Sequence, residues 1–278
     1  MRNSRNKVGS QAAAGPQIEA ILREDRRRWR RLAPEALIIV AVVLVASWAS
    51  GLLDLKRLRE GAPDLMSLVG EMFPPDFTRI GAWIGPVLST LGMSIAGTAL
   101  AVLFSVPLGV LAARTTAPNR VVYGCARTLL NLLRAVPELI MGIVFVAAVG
   151  FGALPGVLAI GFHSIGMVGK FFAESIENAD PAAVEAVRAT GASPLQVIFH
   201  GILPQVWPYW RDVMIYRWEY NFRASTILGA VGAGGIGLEL IAALRVLEYR
   251  QVLAIILVIL VMVTLVDGLG RLLQRRYK

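Results

Sequence analysis

The chain has 278 residues, of which 56% are hydrophobic and only 17% are charged, and its mean hydropathy is +0.61. Soluble domains contain about a quarter charged residues, so this composition excludes an ordinary soluble domain and indicates a polytopic membrane protein. The basic residues behind the net charge of +9 lie beside apolar stretches, which indicates membrane topology and argues against nucleic-acid binding. The single cysteine, Cys125, excludes an intrachain disulfide and a cysteine metal cluster.

Six apolar stretches are long enough to cross a bilayer, which takes about 20 residues of helix. They predict an all-α fold with about six transmembrane helices, at roughly 34–53, 84–112, 128–150, 154–176, 206–229 and 251–272. The second stretch contains Pro86 and Pro107, so we expect it to be tilted or kinked. No small-residue cleavage site follows the first stretch, which we therefore expect to be an uncleaved span.

The distribution of Lys and Arg predicts the orientation, because cytoplasmic segments retain basic residues. Nine precede residue 33, three lie in the loop 113–127 and four follow residue 270. The segment 54–82 has four against five acidic residues, and 230–250 has two against two. Both termini are therefore predicted to be cytoplasmic, and so is the segment after the fourth span.

Three regions are predicted on this basis. Residues 1–32 form a cytoplasmic tail with an amphipathic basic helix on the anionic inner leaflet, and at least the first 15 of them could equally be disordered. Residues 33–82 hold the first transmembrane helix and an extracytoplasmic loop. Residues 83–278 hold the remaining spans and a polar cytoplasmic segment at 180–204.

The polar segment at 180–204 reads as two short helices joined at a glycine. Asp180 followed by Pro181 is a helix-start signal, and Gly191 fits a left-handed helix end. Ser193 begins a second helix, which we expect to stop at Pro204. Small residues on the first helix would allow another protein to dock here, whereas an ordinary loop that caps the bundle explains the same pattern.

Charged residues within the spans should face protein or water rather than lipid. In span four, His163, Lys170, Glu174 and Glu177 fall near one stripe of the helix. They could line a pathway, or Lys170 and Glu174 could only neutralise each other while His163 is held by a structural hydrogen bond.

Span five carries charge on two sides. Arg217 and Asn221 share one face, and we expect Glu219 and Arg223 to pair on the opposite face. Such a helix should be central to the bundle. In span three, Arg134 and Glu138 are four residues apart around Pro137, and they could form a gate or an ion pair at the membrane interface.

Two glycine-containing phrases do not form a nucleotide site. GMVGKFF lacks the glycine spacing and the hydroxyl residue of a P-loop, and GAVGAGGIG at 229–237 is predicted on the outer side. The latter could be a tight turn at a substrate opening or a flexible linker. Protease and hydrolase motifs are absent from the sequence, which argues against an intramembrane enzyme. The charged residues within the spans would fit an ion-coupled secondary transporter of a small anion, in which they would relay protons or couple ions.

The polar segment resembles a known motif. Glu185 and Ala186, then Gly191, then Leu203 and Pro204 are similar to the coupling motif of permease subunits of ATP-binding cassette (ABC) importers, with Val187 where that family has alanine. The phrases RAVPE, HSIGMVGKFFAESIE and RWEYNFRASTILGAVGAGGIG are similar to those of phosphonate importer permeases. The resemblance covers about residues 84–278.

The resemblance implies a type I ABC importer permease that moves phosphonate or a related phosphorus oxyanion by alternating access. A permease for another small solute stays open. The implied partners are two ATPase subunits that bind ATP and Mg²⁺, an extracytoplasmic substrate-binding protein, membrane lipid and a second copy of the chain, in a bacterial inner membrane. The chain itself is expected to bind no cofactor or metal and to catalyse no reaction. The expected ATPase-coupling residues are Glu185, Ala186, Gly191, Ala192, Ser193, Leu203 and Pro204; the expected pathway residues are His163, Lys170, Glu174, Arg217, Glu219, Asn221 and Arg223; and the expected gate residues are Arg134, Pro137 and Glu138.

Overall fold

The structure, a computed structural model, describes residue 32 and residues 34–275. Within these residues every element is a helix and no strand occurs, as the composition predicts. The helices are α1 (Pro34–Ala49), α2 (Leu55–Met72), α3 (Ile80–Leu111), α4 (Arg120–Ala135), α5 (Glu138–Val149), α6 (Ala153–Glu177), α7 (Pro181–Ala189), α8 (Pro194–Gln196), α9 (Leu203–Leu228), α10 (Ile236–Arg245) and α11 (Tyr249–Arg275). The predicted basic helix of the tail lies outside the described residues.

The chain divides into two compact units, residues 1–67 and 68–278. In the first unit, the part of α1 that the structure describes is apolar but shorter than the roughly 20 residues that cross the hydrocarbon. In the second unit, α3, α6 and α11 are each long and apolar enough to cross a membrane. Two bent helix pairs, α4 with α5 and residues 194–231 with α10, are long and apolar enough if each pair is taken as one span.

The third predicted span is broken rather than continuous. The axes of α4 and α5 differ by 87°. Val136, the last residue before Pro137, has φ −83° and ψ 121°, an extended conformation. A proline ring clashes with a helical residue before it, so the chain leaves the helix at Val136 and starts a new one after Pro137. The span predicted over 128–150 therefore consists of two helices, α4 and α5, that meet at this bend.

The other long helices agree with the predicted spans. Helix α3 runs for 32 residues with Pro86 and Pro107 inside it. At 1.5 Å per residue it is about 48 Å long, more than the roughly 30 Å of hydrocarbon it would cross upright. It must therefore tilt or extend beyond the hydrocarbon.

The core of the second unit lies between α3, α4, α6 and α9. Phe172 of α6 stacks on Trp210 of α9 with ring centroids 4.1 Å apart, and the Trp210 indole N–H donates to Ser175 Oγ at 2.7 Å. Gly166 lets α4 approach α6 closely, because a Cβ there would lie 2.7 Å from the Leu130 carbonyl oxygen and the Arg134 amide nitrogen. Small residues at helix contacts are typical of membrane bundles.

The segment 180–204 forms the predicted elbow between α7 and α8. Asp180 Oδ1 accepts the Ala182 amide at 2.9 Å, and Gly191 has φ +81°, so both predicted signals are confirmed. Ser193 and Gln196 form a reciprocal capping box at the start of α8.

The predicted stop at Pro204 was wrong. A π-helical stretch, Val197–Ile202, leads directly into α9. Pro204 occupies the first turn of α9, where a backbone N–H has no required helical partner. The elbow is therefore continuous with the fifth predicted span.

Candidate functional site

A buried polar network lies where α3, α6 and α9 meet. Arg217 Nε donates to Ser164 Oγ at 2.8 Å, and Ser164 Oγ donates to Asn221 Oδ1 at 3.0 Å. Asn221 Nδ2 donates to Thr98 Oγ1 at 2.9 Å, and Thr98 donates to the Ser94 carbonyl at 2.7 Å. Four side chains from three helices are thus joined in one chain of hydrogen bonds.

The network forms because α9 presents Arg217 and Asn221 on the same side, one turn apart. Arg217 is 3% exposed and Asn221 is fully buried. The predicted shared face is therefore confirmed, and it points into the bundle. Burying a charge at this depth is costly unless it is hydrogen-bonded, so Ser164 is a structural requirement for Arg217.

A second set of contacts connects Arg217 to the α4–α5 break. The Arg217 guanidinium lies 4.3 Å from the ring centroid of Tyr220, and the Tyr220 hydroxyl donates to Glu138 Oε1 at 3.2 Å. His163 Nδ1 lies 3.1 Å from the carbonyl oxygen of Val136, the residue at the break. Arg217 Nη2 and Glu138 Oε2 are both buried and lack a hydrogen-bond partner.

The opposite face of α9 packs against α11. The carboxylate of Glu219 lies against Gly270, while Arg223 Nη1 binds both oxygens of Asp267 at 3.0 and 3.1 Å. The predicted pair of Glu219 with Arg223 was therefore wrong. Instead, Nη1 of Arg223 is shared between the two carboxylate oxygens of Asp267 on α11.

Arg134 and Glu138 stand on different helices, so the predicted spacing of one turn does not apply to them. Arg134 lies at the end of α4, where it lines a cavity of about 280 Å³ with Asn131, Ala135 and Met167. Glu138 lies in the first turn of α5 and faces Tyr220 instead. Neither residue belongs to an ion pair within the described part of the chain.

The polar residues of α6 separate into three sites. His163 contacts the α4–α5 break, and Lys170 Nζ lies 3.5 Å from Glu174 Oε1 in a partly exposed ion pair. Glu177 Oε1 binds Arg127 Nη2 at 2.9 Å and the Arg114 amide at 2.9 Å. The structure therefore brings His163 toward the buried network and places the other three nearer the elbow end of the helix.

Ion pairs and hydrogen bonds of charged side chains connect the helix ends beside the elbow. Arg127 also donates from Nε to the Ala112 carbonyl at 2.7 Å, which joins α4 to the end of α3. The Tyr123 hydroxyl accepts a hydrogen bond from Arg114 at 3.1 Å and raises the pKa of that guanidinium above its ordinary value. These contacts fix the ends of α3, α4 and α6 beside the elbow.

Beside this cluster lies an open cavity of about 740 Å³. It is lined by residues of the loop after α3, the end of α6 and the elbow, including Glu177, Glu185, Arg188, Ala192 and Ile202. Glu185 and Ala192, two of the expected ATPase-coupling residues, thus border the same depression. Ala186, Gly191 and Ser193 belong to the same elbow, and Leu203 and Pro204 are the first two residues of α9.

The glycine-rich phrase at 229–237 is a tight turn between α9 and α10. Residues 229–231 form a short 3₁₀ turn, and Gly232, Gly234 and Gly235 have positive φ. The Ile236 amide donates to Thr90 Oγ1 at 2.9 Å, which fixes the turn to α3. The phrase therefore forms a tight turn and not a flexible linker.

Sequence reasoning missed four residues of these contacts: Thr98, Ser164, Tyr220 and Asp267. Tyr220 carried a usable signal, since it lies three residues after Arg217 on the same helix. Thr98 and Ser164 carried none, because small hydroxyl residues are common in membrane helices. No group of three or more His, Cys, Asp or Glu side chains that could hold a metal occurs among residues 34–275.

Comparison with known proteins identifies the family. Residues 105–278 match the model of the binding-protein-dependent transport system inner membrane component. The chain belongs to this family. It is thus a membrane transport permease, and membership implies that it works with an ATPase and a substrate-binding protein.

Individual relatives agree with the family. The chain is 59% identical over 268 residues to the phosphite transport system permease protein PtxC of Stutzerimonas stutzeri, covering 96% of this chain and 98% of the relative. It is 42% identical over 235 residues to the phosphate-import permease protein PhnE of Mycolicibacterium smegmatis, covering 84% of this chain and 43% of that protein.

Solved structures confirm the fold class. The inward-facing MetNI methionine ABC transporter matches with a TM-score of 0.64 at 19% identity, covering 73% of this chain and 99% of that one. A bacterial ABC transporter that imports alginate matches with a TM-score of 0.53 at 15% identity. The permease fold of ABC importers predicted from the resemblance is therefore confirmed.

Proposed function

We propose that this permease forms the pathway of an ATP-driven importer for a small phosphorus oxyanion such as phosphite, a phosphonate or a phosphate ester. The observation that carries the proposal is the 59% identity, over nearly the whole of both chains, to a phosphite transport permease. The buried guanidinium of Arg217 supports it, because arginine is well suited to bind oxyanions through several N–H groups.

The transport mechanism we propose is alternating access driven from the elbow. An ATPase seated on the cavity beside Glu185 and Ala192 would move α7 and α8 when it closes on ATP. Because the π-helical stretch joins α8 directly to α9, that movement reaches Arg217 without crossing a flexible loop. The contacts of Glu177 with Arg127 connect the same movement to α4 and the α4–α5 break.

The residue roles follow this mechanism. The elbow residues from Glu185 to Pro204 receive the force. Arg217 and Asn221 line the closed pathway, with His163 and Glu138 at the break that opens it. A carboxylate near the guanidinium keeps the affinity for an anion low, as transport requires, and Glu138 takes this part.

The assembly we propose is a homodimer of this chain with two ATPase subunits and an extracytoplasmic binding protein. One elbow per chain supports this stoichiometry, since a motor with two ATPases needs two elbows. The ATPases bind ATP and Mg²⁺, and this chain binds no cofactor and breaks no bond. We place it in a bacterial inner membrane with both termini cytoplasmic, in agreement with the Lys and Arg distribution.

Uptake into proteoliposomes tests the function. The permease is reconstituted with its ATPase, and the binding protein is supplied with labelled phosphite on the side opposite ATP. We expect uptake that needs ATP and stops when the ATPase is inactivated. Uptake that persists with an inactive ATPase but collapses with an uncoupler would contradict the proposal and favour an ion-coupled transporter.

A further inference from the structure

Two buried polar atoms of the central site have no partner. Arg217 is 97% buried (3% exposed), and its Nη2 donates to no acceptor. Glu138 Oε2 is likewise buried and accepts from no donor, although its other oxygen accepts from Tyr220 at 3.2 Å. Buried polar atoms are nearly always hydrogen-bonded, so a donor and an acceptor left open at one site require an explanation.

The two atoms belong to groups that are close but do not pair. Tyr220 connects them, since its ring lies beneath the Arg217 guanidinium and its hydroxyl binds Glu138. Arg217 and Glu138 are nevertheless absent from the ion pairs of the described residues. The Arg217 side chain is held by Ser164, and Glu138 is held by Tyr220. These contacts use Arg217 Nε and Glu138 Oε1, so Arg217 Nη2 and Glu138 Oε2 remain open.

The chemistry of the open atoms defines what can satisfy both at once. Arg217 Nη2 is a donor and needs an oxygen acceptor, whereas the ionised carboxylate of Glu138 is an acceptor only and needs a hydroxyl donor. A phosphorus oxyanion with one remaining P–OH group offers both. A fully ionised oxyanion offers acceptors only, and it would meet Glu138 with like charge.

We propose that Arg217 and Glu138, braced by Ser164 and Tyr220, form a subsite that accepts a phosphorus oxyanion in its singly protonated form, with P–O⁻ on Arg217 and P–OH on Glu138. The inference rests on the proposed import function and adds the protonation state of the cargo. The break at Val136 and Pro137 supplies the hinge beside the subsite, so its opening would admit the anion. In the closed arrangement, Arg217 Nη2 and Glu138 Oε2 have no hydrogen-bond partner. Binding of the oxyanion would supply both partners, so the presence of substrate favours opening of the site.

The experiment compares phosphite uptake at pH 7 and pH 8, equal on both sides of the proteoliposome membrane, with excess phosphite saturating the binding protein. Uptake is expressed per ATP hydrolysed in the same vesicles. The last P–OH proton of such compounds dissociates at about pH 6, so we expect wild-type uptake to fall roughly tenfold between the two values. Glu138→Gln, whose amide both donates and accepts, should show a ratio below about two.

Other titrating groups near the subsite require controls. Arg217, Tyr216 and Tyr220 face it from α9, and His163 faces it from α6. His163→Gln should keep the tenfold ratio. Glu239→Gln, which removes a carboxylate of α10 that has no hydrogen bond or ion pair in the described chain, should keep both the rate and the ratio.

Each result decides the inference. A wild-type rate that is constant or rises toward pH 8 overturns it, whether or not the Glu138→Gln complex assembles. A tenfold fall that Glu138→Gln retains, or that His163→Gln removes, also overturns it while leaving the import function intact. The absence of ATP-dependent phosphite uptake at both pH values would instead overturn the import function itself.

Discussion

The elbow at 180–204 and the buried network around Arg217 obtain their structures in different ways. The elbow depends on neighbours in sequence: Asp180 caps α7, Gly191 turns the chain and Ser193 caps α8. The network depends on three helices that are far apart in sequence, since Asn221 binds Thr98 across 123 positions. The local structure of the elbow therefore does not depend on how the helices are arranged, whereas the network forms in only one arrangement of the helices.

The largest effect is expected at the network. Arg217→Gln removes a buried guanidinium and its charge-assisted hydrogen bond, which is worth about 1.5–3 kcal/mol, so phosphite uptake should fall by about 10- to 100-fold. The matched control is Arg223→Gln, because Arg223 is partly exposed and pairs with Asp267 on the other face of α9. Its uptake should fall by less than about fivefold. Equal losses of uptake in Arg217→Gln and Arg223→Gln would contradict the different roles of the two faces of α9.

The next effect concerns the close contact of α6 with α4. Gly166→Ala would place a methyl group against backbone atoms of Leu130 and Arg134, which no rotamer change can relieve. We expect a loss of about 1–3 kcal/mol in stability, seen as a lower unfolding temperature in detergent. Gly92→Ala on α3, which has no neighbour within 4 Å, should be neutral or slightly stabilising.

At the elbow we expect a smaller loss of stability, together with a change in the amount of ATP used for each phosphite transported. Gly191 has φ +81° and no atom within 4 Å of an added Cβ, so Gly191→Val acts through backbone strain of about 1–2 kcal/mol. We expect more ATP to be hydrolysed for each phosphite transported. Gly191→Asn, which tolerates the left-handed conformation, should stay near the wild-type ratio. A normal ratio for Gly191→Val would count against a coupling role of the elbow.

The smallest effect is expected from the capping box. Ser193→Ala removes the acceptor of the Gln196 amide and should cost α8 about 0.5–1 kcal/mol. Faster amide exchange confined to residues 195–197 would show this, and Ser193→Asn should restore protection. Faster exchange that extended into the Arg217 network would contradict the separation of elbow and bundle.

The sequence predicted most of the features that local chemistry determines. The positions of α3, α6, α9 and α11, the caps of α7 and α8 and the shared face of Arg217 and Asn221 were all predicted correctly. Each rests on apolar length, helix periodicity or a capping residue, and these signals act over a few residues.

The errors arose where a partner came from elsewhere in the chain or where proline was interpreted wrongly. The pairing of Arg223 with Asp267 could not be predicted because it depends on how α11 packs against α9. The chain bends by 87° at Pro137, where the sequence indicated only the loss of one backbone donor, and Pro204 lies in the first turn of a helix although it was predicted to stop one. The first follows from the residue before proline, and the second from the tolerance of proline in a first helical turn.

The most direct test of the central claim, that the elbow binds an ATPase, is site-specific photo-crosslinking. A photoreactive residue is placed at Leu195 in the elbow and, as the control, at Val246 after α10; the two side chains are 67% and 64% exposed. Membranes containing the permease and its ATPase are irradiated, and adducts are identified by mass. We predict a permease–ATPase adduct at position 195 and none at position 246. An ATPase adduct missing at 195, or equally abundant at both positions, would contradict the account.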